Sequence, residues 1–336
     1  MITKISSPLF LLAIIGFLFV GEINAQQQFD FTSAQYIYQV PQNLHSSNSM
    51  QLGAWQNTGK NDSIHHRITA EALFLGRSNI DGPAFVFDDN GDALSYSDLS
   101  FGLETGYRFG YGFFANSDSG LEFLYSENTN TLVNAQNGPN VTPLFFNGIP
   151  ADPVNSYDVS YDTDLESFEV NFWARNRPGG RIGIGARFFR ISEQFDIIET
   201  SANTRDGFFA NTGNDLAGLQ IMLDERRTLY DGIRLHAGLK AGGYGNDIDL
   251  FAEALNAETV GSDGAFSFNL DFWAGIEMQF DGITQLRFGY QGLFFSNIAL
   301  APAQSEALSI FNPINDDLLT QSVTYHGLYL GANLTF

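Results

Sequence analysis

The sequence has no cysteine. Its fold must hold together without disulfides, which excludes the small cross-linked scaffolds of secreted domains and any anchor built on a lipid-modified cysteine. Basic residues are scarce: 16 Lys and Arg face 38 Asp and Glu, a formal net charge of −22 at pH 7. Nucleic acid is excluded as a partner, because its phosphates demand a basic face. A repulsive, soluble exterior or a surface that meets cations fits instead. Past residue 25 no apolar stretch comes near the roughly 20 residues that a membrane-spanning helix requires. Aromatic residues are abundant, with 32 Phe and 13 Tyr. Such a content calls for a large core or a surface in contact with lipid.

The N-terminus has the layout of a secretory leader: Lys4, an apolar run from Leu9 to Val20, and a small residue at Ala25 before Gln26. About a dozen apolar residues are too few to span a bilayer as a helix, so residues 1–25 are expected to be cleaved on export, with a retained anchor as the alternative. Losing Lys4 and Glu22 leaves the net charge at −22. Residues 26–66 are polar and unpatterned, as in Gln26-Gln27-Gln28 and Ser46-Ser47-Asn48-Ser49, and read as a periplasmic extension.

From residue 67 apolar and polar side chains alternate with a period of two. Phe266, Phe268, Leu270, Phe272, Ala274, Ile276, Met278 and Phe280 share one face of an extended chain, and Ser267, Asn269, Asp271, Trp273, Gly275, Glu277 and Gln279 the other. The same alternation marks segments at 68–76, 99–109, 121–125, 168–174, 182–188, 217–223, 233–241, 286–294 and 328–336. That makes ten strands. Short connections at 111–120, 176–180, 224–232 and 281–282 alternate with long loops near 78–96, 128–156, 196–213, 244–264 and 297–321. One frame fits all of this: short turns and both termini on the periplasmic side, long acidic loops outside. The predicted fold is all-β, a transmembrane antiparallel up-and-down barrel over residues 67–336 of about ten strands, with eight to twelve open.

Charges support that frame. Glu104, Arg108, Glu169, Arg187, Arg234, Lys240, Glu277 and Arg287 all fall on the polar face and are the candidate lumen-lining residues. Against lipid at mid-bilayer each Arg or Lys would cost about 2–4 kcal/mol. Phe109, Phe280 and Phe336 at the inner strand ends, with Phe266 and Phe294 at the outer, suggest aromatic girdles. A soluble β-sandwich also alternates, but its strands are shorter and its termini rarely end in mid-strand on an aromatic. The final strand, with Tyr329, Leu334 and Phe336, resembles the C-terminal signal read by the barrel assembly machinery of Gram-negative type envelopes. Outer-membrane lipid and that machinery are the expected partners.

Four short segments also resemble motifs of the β-barrel porins described from planctomycete genomes, the seventh family of that series. They are Leu73-Phe74-Leu75-Gly76-Arg77, Gly102-Leu103-Glu104-Thr105-Gly106-Tyr107-Arg108-Phe109-Gly110, Asn214-Asp215-Leu216-Ala217-Gly218-Leu219-Gln220 and Leu235-His236-Ala237-Gly238-Leu239-Lys240-Ala241-Gly242. The likeness covers residues 67–336 and implies an outer-membrane barrel, with no substrate or catalytic residue to carry over.

Ten strands enclose little space, since about eight are just filled by side chains and 16–18 leave an open channel. The lumen arginines Arg108, Arg187, Arg234 and Arg287 are therefore expected to pair with Glu104, Glu122, Glu169 and Glu277. The result is either a narrow charged conduit or a salt-bridged plug. Lumen glycines such as Gly238, Gly275 and Gly289 offer room for a solute or, more simply, relief of crowding. Asp88-Asp89-Asn90-Gly91-Asp92 has hard oxygens for Ca²⁺ but lacks a terminal bidentate Glu, so a solvated turn is the better reading. A barrel hydrolase would need His beside Ser or Asp; His236 in the lumen and His326 on the lipid register stand apart from any such motif. The expected protein is a porin-like outer-membrane barrel, exported through its leader, that passes at most small solutes. It is not expected to be an enzyme or to use a cofactor or a metal. The alternatives are a non-conducting barrel whose acidic loops bind a partner or divalent cations, and an outer-membrane hydrolase.

Overall fold

Two faces in different media make a strand alternate, and ten of the twelve strands in the computed structural model close on themselves around such a pair of faces. The structure describes residues 64–78, 84–88, 91–95, 99, 101–115, 119–143, 154–177, 179–200, 205–254, 257–307 and 318–336. The leader, the body of the extension and Asp89-Asn90 lie outside the described residues. In chain order the strands are β1 (His65–Arg77), β2 (Ala84–Asp88), β3 (Gly91–Ser95), β4 (Glu104–Phe114), β5 (Gly120–Pro143), β6 (Val154–Arg177), β7 (Gly180–Thr200), β8 (Arg205–Tyr230), β9 (Ile233–Ala254), β10 (Ala257–Gln279), β11 (Thr284–Ala299) and β12 (Thr320–Thr335). One helix, α1 (Ala301–Ala307), precedes β12.

All pairings are antiparallel. β2 and β3 form a hairpin that leans on the outer end of β5 through Val86–Pro143 and Phe87–Thr142. The remaining strands pair in sequence, and β1 zips to β12 from Arg67–Thr335 to Arg77–Tyr325. Because β5 also pairs with β6, these ten strands close into a ring. The structure is a ten-stranded antiparallel barrel, as the alternation predicts. At its seam His66 and Phe336 exchange backbone hydrogen bonds of 2.8 and 3.0 Å, so the last aromatic residue is built into the closure.

The outer wall carries a belt of exposed apolar side chains, including Phe172, Ile184, Leu219, Ile221, Phe268 and Leu330. In water such a belt would expose far more contiguous apolar surface than a soluble monomer tolerates. In a bilayer it is the required surface, and the backbone behind it is fully paired. This is a membrane-spanning barrel. Thr69, Glu71, Gln220, Lys240, Asp271 and Glu277 face inward at the same height and are buried.

The structure departs from the sequence reading in several places, and the loops expected near 78–96 and 297–321 hold the β2–β3 hairpin, α1 and the start of β12. The segments at 128–156, 196–213 and 244–264 are largely strand rather than loop: β5 to β10 run for 21–26 residues each, about twice the 9–11 that cross a bilayer. Above the belt the outer face meets water, so the outward positions turn polar and the inward ones apolar. The alternation inverts there, which on a sequence resembles loss of pattern. The strand expected at 99–109 begins at Glu104, and Leu99 turns inward to be fully buried in the interior apolar cluster, with Phe101 packed against it. β4 also runs on to Phe114, which moves Phe109 away from the inner strand end and leaves Phe113 near it. β1 begins at His65, two residues before the expected start of the barrel.

The short connections are tight. Gly179 and Gly232 adopt φ of 80° and 74° in the β6–β7 and β8–β9 turns, the left-handed conformation that glycine enters without a Cβ penalty. Between β10 and β11, Asp281 caps the turn: its Oδ1 accepts from the backbone N–H groups of Ile283, at 2.8 Å, and Thr284.

Candidate functional site

The lumen has two layers of opposite chemistry. The layer nearer the short turns is a network of charges. Glu71 on β1 accepts from Arg108 on β4 at 2.8 Å and from Arg287 on β11 at 2.6 Å. Glu277 on β10 faces Arg226, Arg234 and Arg287 at 3.5–3.6 Å. Across the lumen Glu169 on β6 binds Lys240 at 2.7 Å and Arg187 at 3.2 Å, while Arg187 also reaches Asp271 at 3.1 Å. Arg181 pairs with Asp224 at 2.7 Å and lies 3.9 Å above the Trp173 ring. Glu71, Glu169 and Glu277, with two or three cations each and with Gln220 and Asn171 supporting Glu169, compensate for being taken out of water in a way an isolated charge cannot.

Aromatic bodies fill what the charges leave. Trp173 donates its Nε1–H to Glu122 at 2.9 Å. Trp273 lies so close to Gly238 that a Cβ there would overlap its ring, and the Tyr329 hydroxyl occupies the same space beside Gly275 and Gly289. These glycines make room for the protein's own side chains, not for a solute.

The outer layer is dry. Phe189, Ile191, Phe195, Phe295 and Tyr325 are fully buried inside the upper barrel, with edge-to-face rings such as Phe189–Phe295 at 4.8 Å. α1 lies within this cluster. Ala301 and Ala303 are buried, and the Ala301 N–H donates to Glu193 Oε2 at 2.9 Å. Asn214 on β8 holds the backbone of Ala299 from both sides, at 2.8 and 2.9 Å. Glu193 in turn forms a fully buried ion pair with Arg77 at 2.8 Å and accepts from Tyr161 at 2.7 Å. Arg77 also donates to Tyr161.

Of the predicted lumen residues, Arg108, Glu169, Arg187, Arg234, Lys240, Glu277 and Arg287 join the charged network. Glu104 stands at the outer end of β4, where its backbone carbonyl accepts from Asn128 at 3.3 Å. The pairing differs from expectation. Arg108 takes Glu71, which sequence reasoning left unnamed, and Glu122 takes an indole. Asp224, Asp271 and Arg181 were likewise missed, although Asp271 falls on the polar face of the clearest strand. The Arg77–Glu193 pair lies in the inverted region, where an inward charge no longer stands out. Tyr329 points into the lumen, whereas Leu334 and Phe336 are exposed on the outer wall.

Both ring nitrogens of His236 are engaged. Arg287 donates to Nε2 at 2.7 Å, so Nδ1 carries the proton and faces the Tyr329 hydroxyl at 3.4 Å. His326 bonds Tyr290 on the outer wall at 2.8 Å. Among the described residues no group of three or more His, Asp or Glu is placed to hold a metal ion. Asp88 ends β2 and Gly91-Asp92 opens β3, while Asp89 and Asn90 lie outside the described residues.

The chain matches no protein-family model and no curated protein. Among solved structures it is similar to the outer-membrane protease OmpT of Escherichia coli, at 9% identity and a TM-score of 0.43, over 82% of this chain and 98% of that one. The translocator domain of the autotransporter NalP from Neisseria meningitidis gives the same identity and score over 82% and 90%. Ail of Yersinia pestis follows at 11% identity and 0.25, over 81% and 99%. At these scores the likeness is too distant to bear on activity.

Proposed function

We propose that this protein is an outer-membrane barrel that does not conduct in its resting form and works through the surface it presents outside the cell. One observation carries this: among the described residues the upper lumen is filled by a buried apolar and aromatic cluster with α1 seated in it. The outward wall above the apolar belt is acidic, with Asp162, Asp164, Asp215, Asp247 and Asp249 against Arg190. Such a wall suits divalent cations that bridge surface glycolipid, or a basic partner. In this reading the leader is cleaved on export, residues 26–64 remain in the periplasm, and Leu334 and Phe336 present the C-terminal strand to the assembly machinery. With both ring nitrogens of His236 already used, the barrel is read as non-catalytic.

A narrow porin is the second reading, favoured by the motif resemblance and by a cavity within the charged layer. Planar-bilayer recording on protein shown to be folded by its heat-dependent shift in SDS electrophoresis separates the two. Silence is expected; steady single-channel steps from the unmodified protein would overturn the closed barrel.

A further inference from the structure

At the outer end of β11 the chain leaves the wall and turns into the lumen. β11 pairs with β12 as far as Ala299 and Thr320, and the ladder is irregular between Phe295 and Ile298. There Asn297 takes a φ of 55°, the one positive φ outside glycine among the described residues. Asparagine enters that conformation more readily than most side chains. From Ile298 to Gln304 every residue is buried.

Side chains hold this segment by its backbone. The Asn297 carbonyl accepts from Asn246 at 3.1 Å and Ser267 at 3.0 Å. Asn214 grips Ala299, and Glu193 accepts the Ala301 N–H. Gln304 folds back on Leu319, donating to its carbonyl at 2.7 Å and accepting its N–H at 3.2 Å. The same layer hides acceptors that it does not satisfy: Thr212 Oγ1, Asn246 Oδ1 and Asn269 Oδ1 are buried without a hydrogen-bond partner among the described residues. Thr212 is two residues from Asn214 on the inner face of β8, Asn246 bonds Asn214 and Asn297, and Asn269 bonds the Phe294 carbonyl. All three thus belong to the wall around the inward bend. A buried polar group without a partner counts against the packed state, and water would satisfy it.

We propose that Leu300 to Gln304 form a detachable plug, which leaves the upper lumen as a unit while the ten strands around it stay paired. The proposal rests on the reading of a barrel closed at rest and names the part that closes it. Past Ala299 the segment pairs with no strand among the described residues, so its departure breaks side-chain contacts and no rung of the sheet. The charged layer below is untouched by release, and a silent barrel is expected in either state.

A chain without cysteine makes a clean test. Ala303→Cys puts one thiol on the plug, and Ala210→Cys puts one on the inner face of β8 in the same layer; both sites are buried. Each barrel, shown to be folded by its heat-dependent electrophoretic shift, is treated with a maleimide carrying a polyethylene glycol chain, and labelling is followed on a gel. The thiol at 303 is expected to react at least ten times faster than the thiol at 210. Adding Gln304→Ala, which removes the bonds to Leu319, should speed the first about tenfold and leave the second unchanged. Equal rates would mean that the whole layer opens together. Reaction at neither site, when both react after denaturation, would mean that the plug is fixed. Either result overturns the plug and leaves the closed barrel standing. Hydrogen exchange on the unmodified protein reads the same difference without any substitution: the amides of Leu300, Ala301, Ala303 and Gln304 should exchange faster than those of Phe208 to Leu216, and equal protection would overturn the proposal.

Discussion

Along a single strand the two halves of this barrel obey opposite rules. In β9, Leu235, Leu239 and Ala241 face outward while His236 and Lys240 face inward; further along, Asp247 and Asp249 face outward while Ile248 and Leu250 are buried inside. The backbone, the pairing and the period of two are the same. What changes is the medium outside. In lipid the apolar set belongs on the outside and the lumen takes the polar remainder; in water the wall becomes an ordinary sheet with a hydrophobic core. Alternation therefore reports that the two faces differ, not which of them is the interior. The point of inversion marks the lipid–water boundary. On the outer wall an exposed ion pair stands there, Arg190 with Asp215 at 2.9 Å, on the strands that carry Phe188 and Ala217 below.

The largest effect should come from the Arg77–Glu193 ion pair, which is fully buried in the apolar layer. Arg77→Ala leaves Glu193 charged and buried, which typically costs about 3–5 kcal/mol, and it loosens the acceptor that holds α1. Limited proteolysis should then cut the upper strands while the lower barrel keeps its resistance to SDS. Equal protection of both halves would mean that they unfold as one unit and that the division is only chemical.

The same side chain can be tested in both media. Phe195→Ala removes a fully buried ring from the upper cluster, where such truncations cost about 3–5 kcal/mol. Phe172→Ala removes a lipid-exposed ring and should lower denaturant stability in detergent by a fraction of that. Similar losses at the two sites would contradict the inverted packing.

The boundary also explains what could be read in advance. Strand number, the short turns and the inward position of Arg187, Arg234 and Arg287 were legible, because lipid penalises an outward charge strongly enough to leave a clean pattern between residues 182 and 287. The upper strands were not. Asn211, Gly213 and Asp215 on β8 look like a turn, and only their partners Phe208, Ala210 and Leu216 on the inner face show a sheet continuing through them. Pairing inside the lumen was illegible for another reason. Glu71 meets Arg287 across 216 positions of sequence, and closure of the barrel, not any local motif, brings them together. Leu99 escaped because an apolar residue in register with a strand reads the same whether it faces lipid or folds inward.

A charge placed on the outer wall should trace the boundary directly. Ile221→Arg sits in the belt and should cost about 2–4 kcal/mol, the usual penalty for arginine near the bilayer midplane. Asn211→Arg, on the same outward face of β8 but above the belt, should be close to neutral. Unfolding in lipid vesicles gives both numbers. If Ile221→Arg is also neutral, the belt does not face hydrocarbon.

The smallest effect belongs to the turn at the opposite end, where neither layer is involved. The backbone N–H groups of Thr284 and Ile283 hold the exposed Asp281 carboxylate below its ordinary pKa, which for an aspartate is about 3.9. A depressed carboxylate stabilises the folded state above its unfolded pKa, and that contribution disappears as the pH falls through the folded value. Asp281→Asn keeps an acceptor at Oδ1 but not its charge. It should unfold slightly before the unmodified protein at pH 7, and the gap should close as the pH drops below about 4. Asp281→Ala should lag at both pH values, because it loses the acceptor as well. A difference that grew in acid would show that Asp281 acts through something other than these backbone donors, and the inner rim would then need an electrostatic partner of its own.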